Sequence, residues 1–201
     1  MRIIVIGATG TIGKAVVEAL AGKHEVVQVG HTRGEYQVDL AAKDSIERLF
    51  EMVAPFDAVV SAAGLAKFGA LEGLSDADFQ FSLSSKLMGQ VNLVRAGMAT
   101  IRDGGSFTLT SGVLAQEPTR GSAAISLVNA ALEGFARAAA LEMPRGVRVN
   151  VVSPPWVSET LVAMGRDGDA GMPAAQVARA YVDSVEGSET GEVLDARAYA
   201  Y

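Results

Sequence analysis

The first thirteen residues, MRIIVIGATGTIG, constrain this chain more than any other stretch. Arg2 to Ile6 is dominated by β-branched residues, the pattern of a strand buried on both faces. It stops at Gly7; Gly10 and Gly13 follow at intervals of three, and an amphipathic helix is predicted from Thr11 to about Ala21. A strand, a glycine-rich turn and a helix N-terminus together make an anion site. Glycine lets the backbone turn sharply and approach a ligand closely, and the free N–H groups at the positive end of the helix dipole face it.

The spacing is Gly-x-x-Gly-x-x-Gly, whereas the common dinucleotide loop is Gly-x-Gly-x-x-Gly. A glycine triplet alone says little. Its place between a predicted strand and a predicted helix is what points to a phosphate-bearing ligand rather than to a plain tight turn.

Bulk properties narrow the class. The 201 residues suit one domain, residues 1–201, with a substantial core, and 49% hydrophobic content argues against disorder. A net charge of −6 with no basic run disfavours nucleic acid as a partner. With no cysteine and only His24 and His31, neither thiolate chemistry nor a multi-histidine metal site is expected. The N-terminal apolar run is too short for a signal segment, and no stretch reaches the ~18 apolar residues a membrane span needs. A cytoplasmic protein is expected.

Further along, Glu25 to Val29 reads as a second strand, ending at His31-Thr32-Arg33. At that strand end a dinucleotide fold reads the adenosine ribose, with an acid for a 2′-hydroxyl or an arginine for a 2′-phosphate. Thr32 and Arg33 stand there and no acid does, so NADP(H) is preferred over NAD(H). Tyr36 to Leu40 reads as a third strand. It follows too soon for the usual crossover helix, which is therefore expected to be missing. A helix over Asp44 to Val53 buries Ile46, Leu49, Phe50 and Val53, and a strand over Asp57 to Ser61 ends at Ala62-Ala63-Gly64. Asp76 to about Met98 reads as one long helix, closely packed at Gly89 and Gly97. Ser106 to Thr110 is a strand followed by Ser111. Ser122 to about Glu142 is an alanine-rich helix, apolar nearly all round, and Val147 to Val152 is a strand broken by Pro154-Pro155-Trp156. Residues 158–173 are glycine-rich and irregular, a candidate lid whose carboxylates Glu159, Asp167 and Asp169 read as solvated. A helix over Pro173 to Val185 and a strand over Glu192 to Asp195 close the chain. Strands alternate with helices throughout, which implies a doubly wound α/β (Rossmann) fold with a parallel sheet of about seven strands and helices on both faces. Ligands of such sheets sit at the carboxyl ends of the strands, where these loops converge.

In this order and spacing the segments resemble the short-chain dehydrogenase/reductase family along nearly the whole chain. Gly7-Ala8-Thr9-Gly10-Thr11-Ile12-Gly13 is similar to its cofactor loop, Asp39-Leu40 to its adenine pocket, and Ser61-Ala62-Ala63-Gly64 to its Asn-Asn-Ala-Gly strand end. Ser111 falls on the family's catalytic Ser. Pro154-Pro155-Trp156-Val157 with Thr160 resembles the Pro-Gly-x-Val-x-Thr nicotinamide segment, with one extra residue, and Thr190 to Leu194 resembles the closing strand. The resemblance implies an oxidoreductase that moves a hydride between a nicotinamide and a small carbonyl or alcohol substrate, working as a homodimer or homotetramer.

The departures bear on catalysis. The family's Tyr-x-x-x-Lys pair falls on Ile125 and Asn129, or one residue earlier on Ala124 and Val128, and neither register supplies it. The family's active-site Asn falls on Lys86, three residues before Gly89, so Asn and Lys look exchanged between Lys86 and Asn129. The family's Tyr protonates the substrate oxygen, a contribution of 10²–10⁴-fold for general acids. Either Lys86 substitutes for it beside Ser111, or Tyr181, Tyr199 or Tyr201 arrives from elsewhere, or the protein is a catalytically inactive NADP(H)-binding sensor of the same fold. Asn129 can still bond ribose hydroxyls through its amide.

Overall fold

A computed structural model describes residues 1–200. Seven strands form one sheet in the order β3-β2-β1-β4-β5-β6-β7: β1 (Arg2–Ile6), β2 (Glu25–Gly30), β3 (Tyr36–Gln37), β4 (Phe56–Ser61), β5 (Ile101–Thr110), β6 (Arg148–Ser153) and β7 (Val193–Asp195). Every pairing is parallel. The central strands are buried on both faces, as their β-branched runs require. The order reverses direction between β1 and β4, which sets the crevice at their carboxyl ends.

Helices cover both faces. On one side α1 (Thr11–Ala21) packs beside α7 (Ala174–Glu186) over a core that includes Ile3, Val5, Val16, Leu20, Val177 and Tyr181. On the other, α2 (Lys43–Val53), α4 (Gly89–Gly97) and α5 (Ala123–Ala140) cover Ile4, Val29, Phe50, Phe107 and Leu132. No helix joins β2 to β3, as the short spacing predicts. Residues 31–35 form a loop, and β3 pairs with β2 over only Val29–Tyr36 and Gly30–Gln37. The expected strand to Leu40 is thus cut to two residues. Val38 still donates its N–H to the Gly30 carbonyl at 2.9 Å, but Asp39 turns away to accept the Ala41 N–H.

The long helix expected from Asp76 is three pieces: α3 (Asp76–Ser82), a π-helical turn (Leu83–Met88) and α4. Ser75 caps α3 and Asp78 returns a bond to the Ser75 N–H, a reciprocal capping box. The π turn carries Lys86, and wide turns of this kind occur disproportionately at functional sites. One buried amide ties this turn to the sheet. Gln90 donates to the carbonyls of Lys86 and Thr110, and accepts the Thr110 N–H at 2.8 Å. Where β4 has stopped pairing, the Gln90 side chain completes the ladder of β5.

Residues 158–173 are more ordered than expected. They contain α6 (Ser158–Ala163), and Val157 bridges Met172 in parallel. The Glu159 carboxylate accepts the Ala174 N–H that opens α7, and Asp167 accepts the Asp169 N–H, so neither is merely solvated. Among the described residues no helix is long and apolar enough to cross a membrane.

Replacing Gln90 by Leu leaves the Thr110 N–H and C=O without this partner in a buried setting. At ~1–3 kcal/mol per orphaned group, the variant is expected to lose about 2–4 kcal/mol in urea unfolding. An unchanged midpoint would show that the amide is not the tie it looks to be.

Candidate functional site

The loop between β1 and α1 is built on two close approaches. Gly7 has φ +82°, and a Cβ on it would stand 2.6 Å from the Ala62 carbonyl oxygen. A Cβ on Gly13 would stand 2.0 Å from the Gly7 carbonyl oxygen, so only glycine lets α1 start this close to the strand end. Gly10 is the N-cap and brings no side chain, leaving the first turn of α1, Thr11 to Gly13, uncapped. Its free N–H groups and the helix dipole favour an anion.

On one side of this loop lies a solvent-open hollow of about 1070 Å³. Gly7, Thr9 and Gly10 line it from the loop, Gly30 and His31 from the end of β2, Asp39 and Leu40 from the segment after β3, and Ala62, Ala63 and Gly64 from the end of β4. Phe81 and Ser85 close it. Thr32 and Arg33 do not line the hollow; they are exposed in the loop just after His31. Arg33 forms no hydrogen bond or ion pair through its guanidinium among the described residues.

On the other side lies a second hollow of about 540 Å³. Ile12 comes from the loop, Ser111 and Gly112 from the end of β5, Ile125 and Asn129 from α5, and Pro154, Trp156, Val157 and Thr160 from the segment after β6. The glycine loop therefore walls both hollows. Ser111 is held by its own N–H, which donates to the Val152 carbonyl at 2.9 Å. The Asn129 amide donates to the Gly112 carbonyl at 3.4 Å, while its Oδ1 is buried with no hydrogen-bond partner. Trp156 packs edge-on against Phe68, and the Arg166 guanidinium sits 5.7 Å from its ring.

Glu133 was not singled out from the sequence, although it lies four residues after Asn129 on α5 and interrupts an apolar face. It is 2% exposed, accepts the Ser111 hydroxyl at 3.0 Å, and also accepts the Gln116 amide. No cation pairs with it among the described residues.

Lys86 is 7% exposed, and its ammonium has no carboxylate partner among the described residues. Burial pushes it down to about 8. It backs onto Gly64, whose added Cβ would lie 3.0 Å from the Lys86 Cα, and it lines neither hollow. The structure thus brings Lys86 to the end of β4 without placing it in the wall beside Ser111.

The tyrosines do not rescue the site. Tyr181 is fully buried in the α1–α7 core and bonds the Thr110 hydroxyl at 2.7 Å; burial pushes its phenol well above the ordinary tyrosine range. Tyr199 donates to Asp183 and lines a separate hollow with Glu189 and Glu192. Tyr201 lies outside the described residues.

Comparison with known proteins agrees with this architecture. The family model described as enoyl-(acyl carrier protein) reductase matches residues 3–196. A 3-oxoacyl-[acyl-carrier-protein] reductase of Rattus norvegicus is 27% identical over 94% of this chain and 93% of its own length. The short-chain dehydrogenase/reductase ATR9 of Stachybotrys chlorohalonatus is 30% identical over 96% of this chain and 83% of its own. Among solved structures, the protein lin1944 of Listeria innocua superposes with a TM-score of 0.93 at 43% identity, covering 97% of this chain and 98% of that one. A small-chain dehydrogenase in complex with NADPH superposes with a TM-score of 0.85 at 25% identity, covering 99% and 98%. With its parallel seven-stranded sheet and its glycine loop, the chain belongs to the short-chain dehydrogenase/reductase family of oxidoreductases.

Proposed function

We propose that this protein binds NADP(H) across the two hollows and catalyses redox exchange between a small carbonyl and its alcohol. The observation that carries this reading is the single loop, Gly7 to Gly13, that walls both hollows and presents an uncapped helix start between them. The first turn of α1 would hold the diphosphate. Asp39 and Leu40 would border the adenine, Thr32 and Arg33 would take a 2′-phosphate, and Ala62 to Gly64 would lie along the adenosine half. Pro154, Val157 and Thr160 would line the nicotinamide, and the partnerless Asn129 Oδ1 would accept a ribose hydroxyl. When bound, the nicotinamide supplies hydride chemistry; the protein supplies orientation, exclusion of water and proton handling.

Ser111 is the residue of the second hollow placed to touch the substrate oxygen. Lys86 acts at longer range. A buried, unpaired ammonium puts a positive charge behind the end of β4, where it favours charge developing on a substrate oxygen. The lid reading of residues 158–173 is supported by Thr160 in the pocket wall and by Arg166, whose guanidinium lies 5.7 Å from the ring of Trp156 just before the segment. A homodimer or homotetramer, working in the cytoplasm, would bury the exposed Leu127 of α5. A second reading, a sensor that binds NADP(H) without turnover, is favoured by one fact: no tyrosine lines the second hollow among the described residues. Reduction of NADP⁺ or oxidation of NADPH across a panel of alcohols and carbonyls separates the two.

Two variants test the assignment. Arg33→Ala is expected to weaken NADPH binding by about 10–100-fold, the range of one lost charge-assisted bond, and to leave NADH nearly unaffected in fluorescence titration. Equal losses for both cofactors would remove the 2′-phosphate contact. Lys86→Met tests the buried charge. Burial holds the folded ammonium down at about 8, below its ordinary value of 10.5, so the unfolded chain holds the proton more tightly. The penalty is present in full below pH 8 and disappears as pH rises through 10.5. Lys86→Met is therefore expected to raise stability at pH 7 by up to about 3 kcal/mol, to flatten the rise toward pH 10, and to lower turnover by about 10-fold, the order of a charge acting at a distance. Destabilisation at pH 7 would show that the cation has a stabilising partner instead.

A further inference from the structure

The polarity of the second hollow is set by a side chain outside its wall. Ser111 has one proton to give, and it gives it to Glu133 Oε1 at 3.0 Å. The other carboxylate oxygen is occupied by the Gln116 amide, and the carboxylate is 2% exposed with no cation beside it among the described residues. With Oε1 accepting from Ser111 and Oε2 from Gln116, both carboxylate oxygens serve as acceptors, which sets the direction of the Ser111 bond. A hydroxyl whose proton is held by a carboxyl oxygen turns its lone pairs elsewhere, and Ser111 lines the hollow. It therefore meets a ligand as a hydrogen-bond acceptor.

The other buried polar group of this wall is the one reserved for the cofactor ribose. The Gly112 carbonyl fixes which end of the Asn129 amide is the donor, since Nδ2 lies 3.4 Å from it. The remaining atom, Oδ1, is buried with no partner in a residue that is 1% exposed and lines the same hollow. With Oδ1 given to the ribose, Ser111 is the buried polar side chain of this wall left to meet the substrate. A carbonyl oxygen brings no donor to Ser111, and leaving a buried acceptor unpaired costs more than a missing bond in water. An alcohol brings the proton that Ser111 lacks.

We infer that Glu133 is a positioning residue that holds Ser111 as a hydrogen-bond acceptor, so that the second hollow selects the hydroxyl form of its substrate, an alcohol, over the corresponding ketone. This rests on the hollow being the substrate site of the proposed oxidoreductase and adds which member of the redox pair it holds. The surrounding wall, Ile12, Val113, Leu114, Ile125 and Pro155, is apolar, so the rest of that alcohol is hydrocarbon in character.

The test uses the chain's single tryptophan, Trp156, which stands in the wall of the hollow. Cyclohexanol and cyclohexanone have the same body and differ at the oxygen. Each is titrated into the protein with and without NADP⁺ while the Trp156 fluorescence is followed; NADP⁺ binding is first measured separately by calorimetry. The expected result is that cyclohexanol binds about tenfold more tightly than cyclohexanone. In Glu133→Met the acceptor is gone, the Ser111 proton turns into the hollow, and the preference passes to the ketone. In Ser111→Ala the preference disappears with the fold intact by circular dichroism. A merely structural Glu133 would weaken both ligands alike without changing their ratio. Equal binding, a ketone preference or no response to either ligand in the wild type overturns the inference, as does a Glu133→Met variant that keeps the alcohol preference. Failure of NADP⁺ to bind in the calorimetric step counts separately, against the cofactor reading.

Discussion

The approach of Gly13 to the Gly7 carbonyl is the contact on which the site depends. A single added carbon would sit 2.0 Å from that oxygen, a distance no packing adjustment absorbs. Because the contact is allowed, α1 begins directly at the end of β1, and the Gly7 φ of +82° brings the same turn against Ala62 at the end of β4. The strand ends on either side of the switch point are thereby drawn together around one uncapped helix start. The two hollows follow from this, since each uses that loop as a wall.

Around this frame the structure buries two ionisable side chains with no opposite charge beside them among the described residues. Lys86 is buried without a carboxylate, and Glu133 without a cation. Neither arrangement favours folding, because desolvating an unpaired charge costs more than exposing it. Both are anchored by the polypeptide rather than by each other: Lys86 by the π turn that Gln90 ties to β5, Glu133 by the Ser111 hydroxyl and the Gln116 amide. Ionisable groups held in such surroundings by hydrogen bonds and the backbone mark a candidate site for chemistry. They lie on opposite flanks of the strand ends, one behind Gly64 and one behind Ser111.

The features legible in the sequence were those set by neighbours along the chain. The β1 loop and α1 were readable because strand, turn and helix are contiguous. The missing crossover helix was readable because five residues leave no room for one. The length of β3 was not, since it depends on where Asp39 finds a partner, and Asp39 turns to the Ala41 N–H instead. The π turn within Asp76 to Met98 leaves the apolar spacing nearly undisturbed, so periodicity could not reveal it. Tyr181 looked available for the site, but the sheet lies between its helix and α5. Glu133 stood in view beside Asn129 on the same helical face. What no spacing could show is that α5 brings it against the end of β5, so that its carboxylate meets Ser111.

The crevice along the strand ends is proposed to hold one dinucleotide. Backbone amide hydrogen exchange with and without NADP⁺ tests it most directly, because it reports where the ligand lies without requiring turnover. Slower exchange is expected at Thr11 to Gly13, at Ala62 to Gly64 and at Val157 to Thr160 together, with α7 and the hollow beside Tyr199 unchanged. Protection confined to one of these segments, or none in any of them, would contradict it.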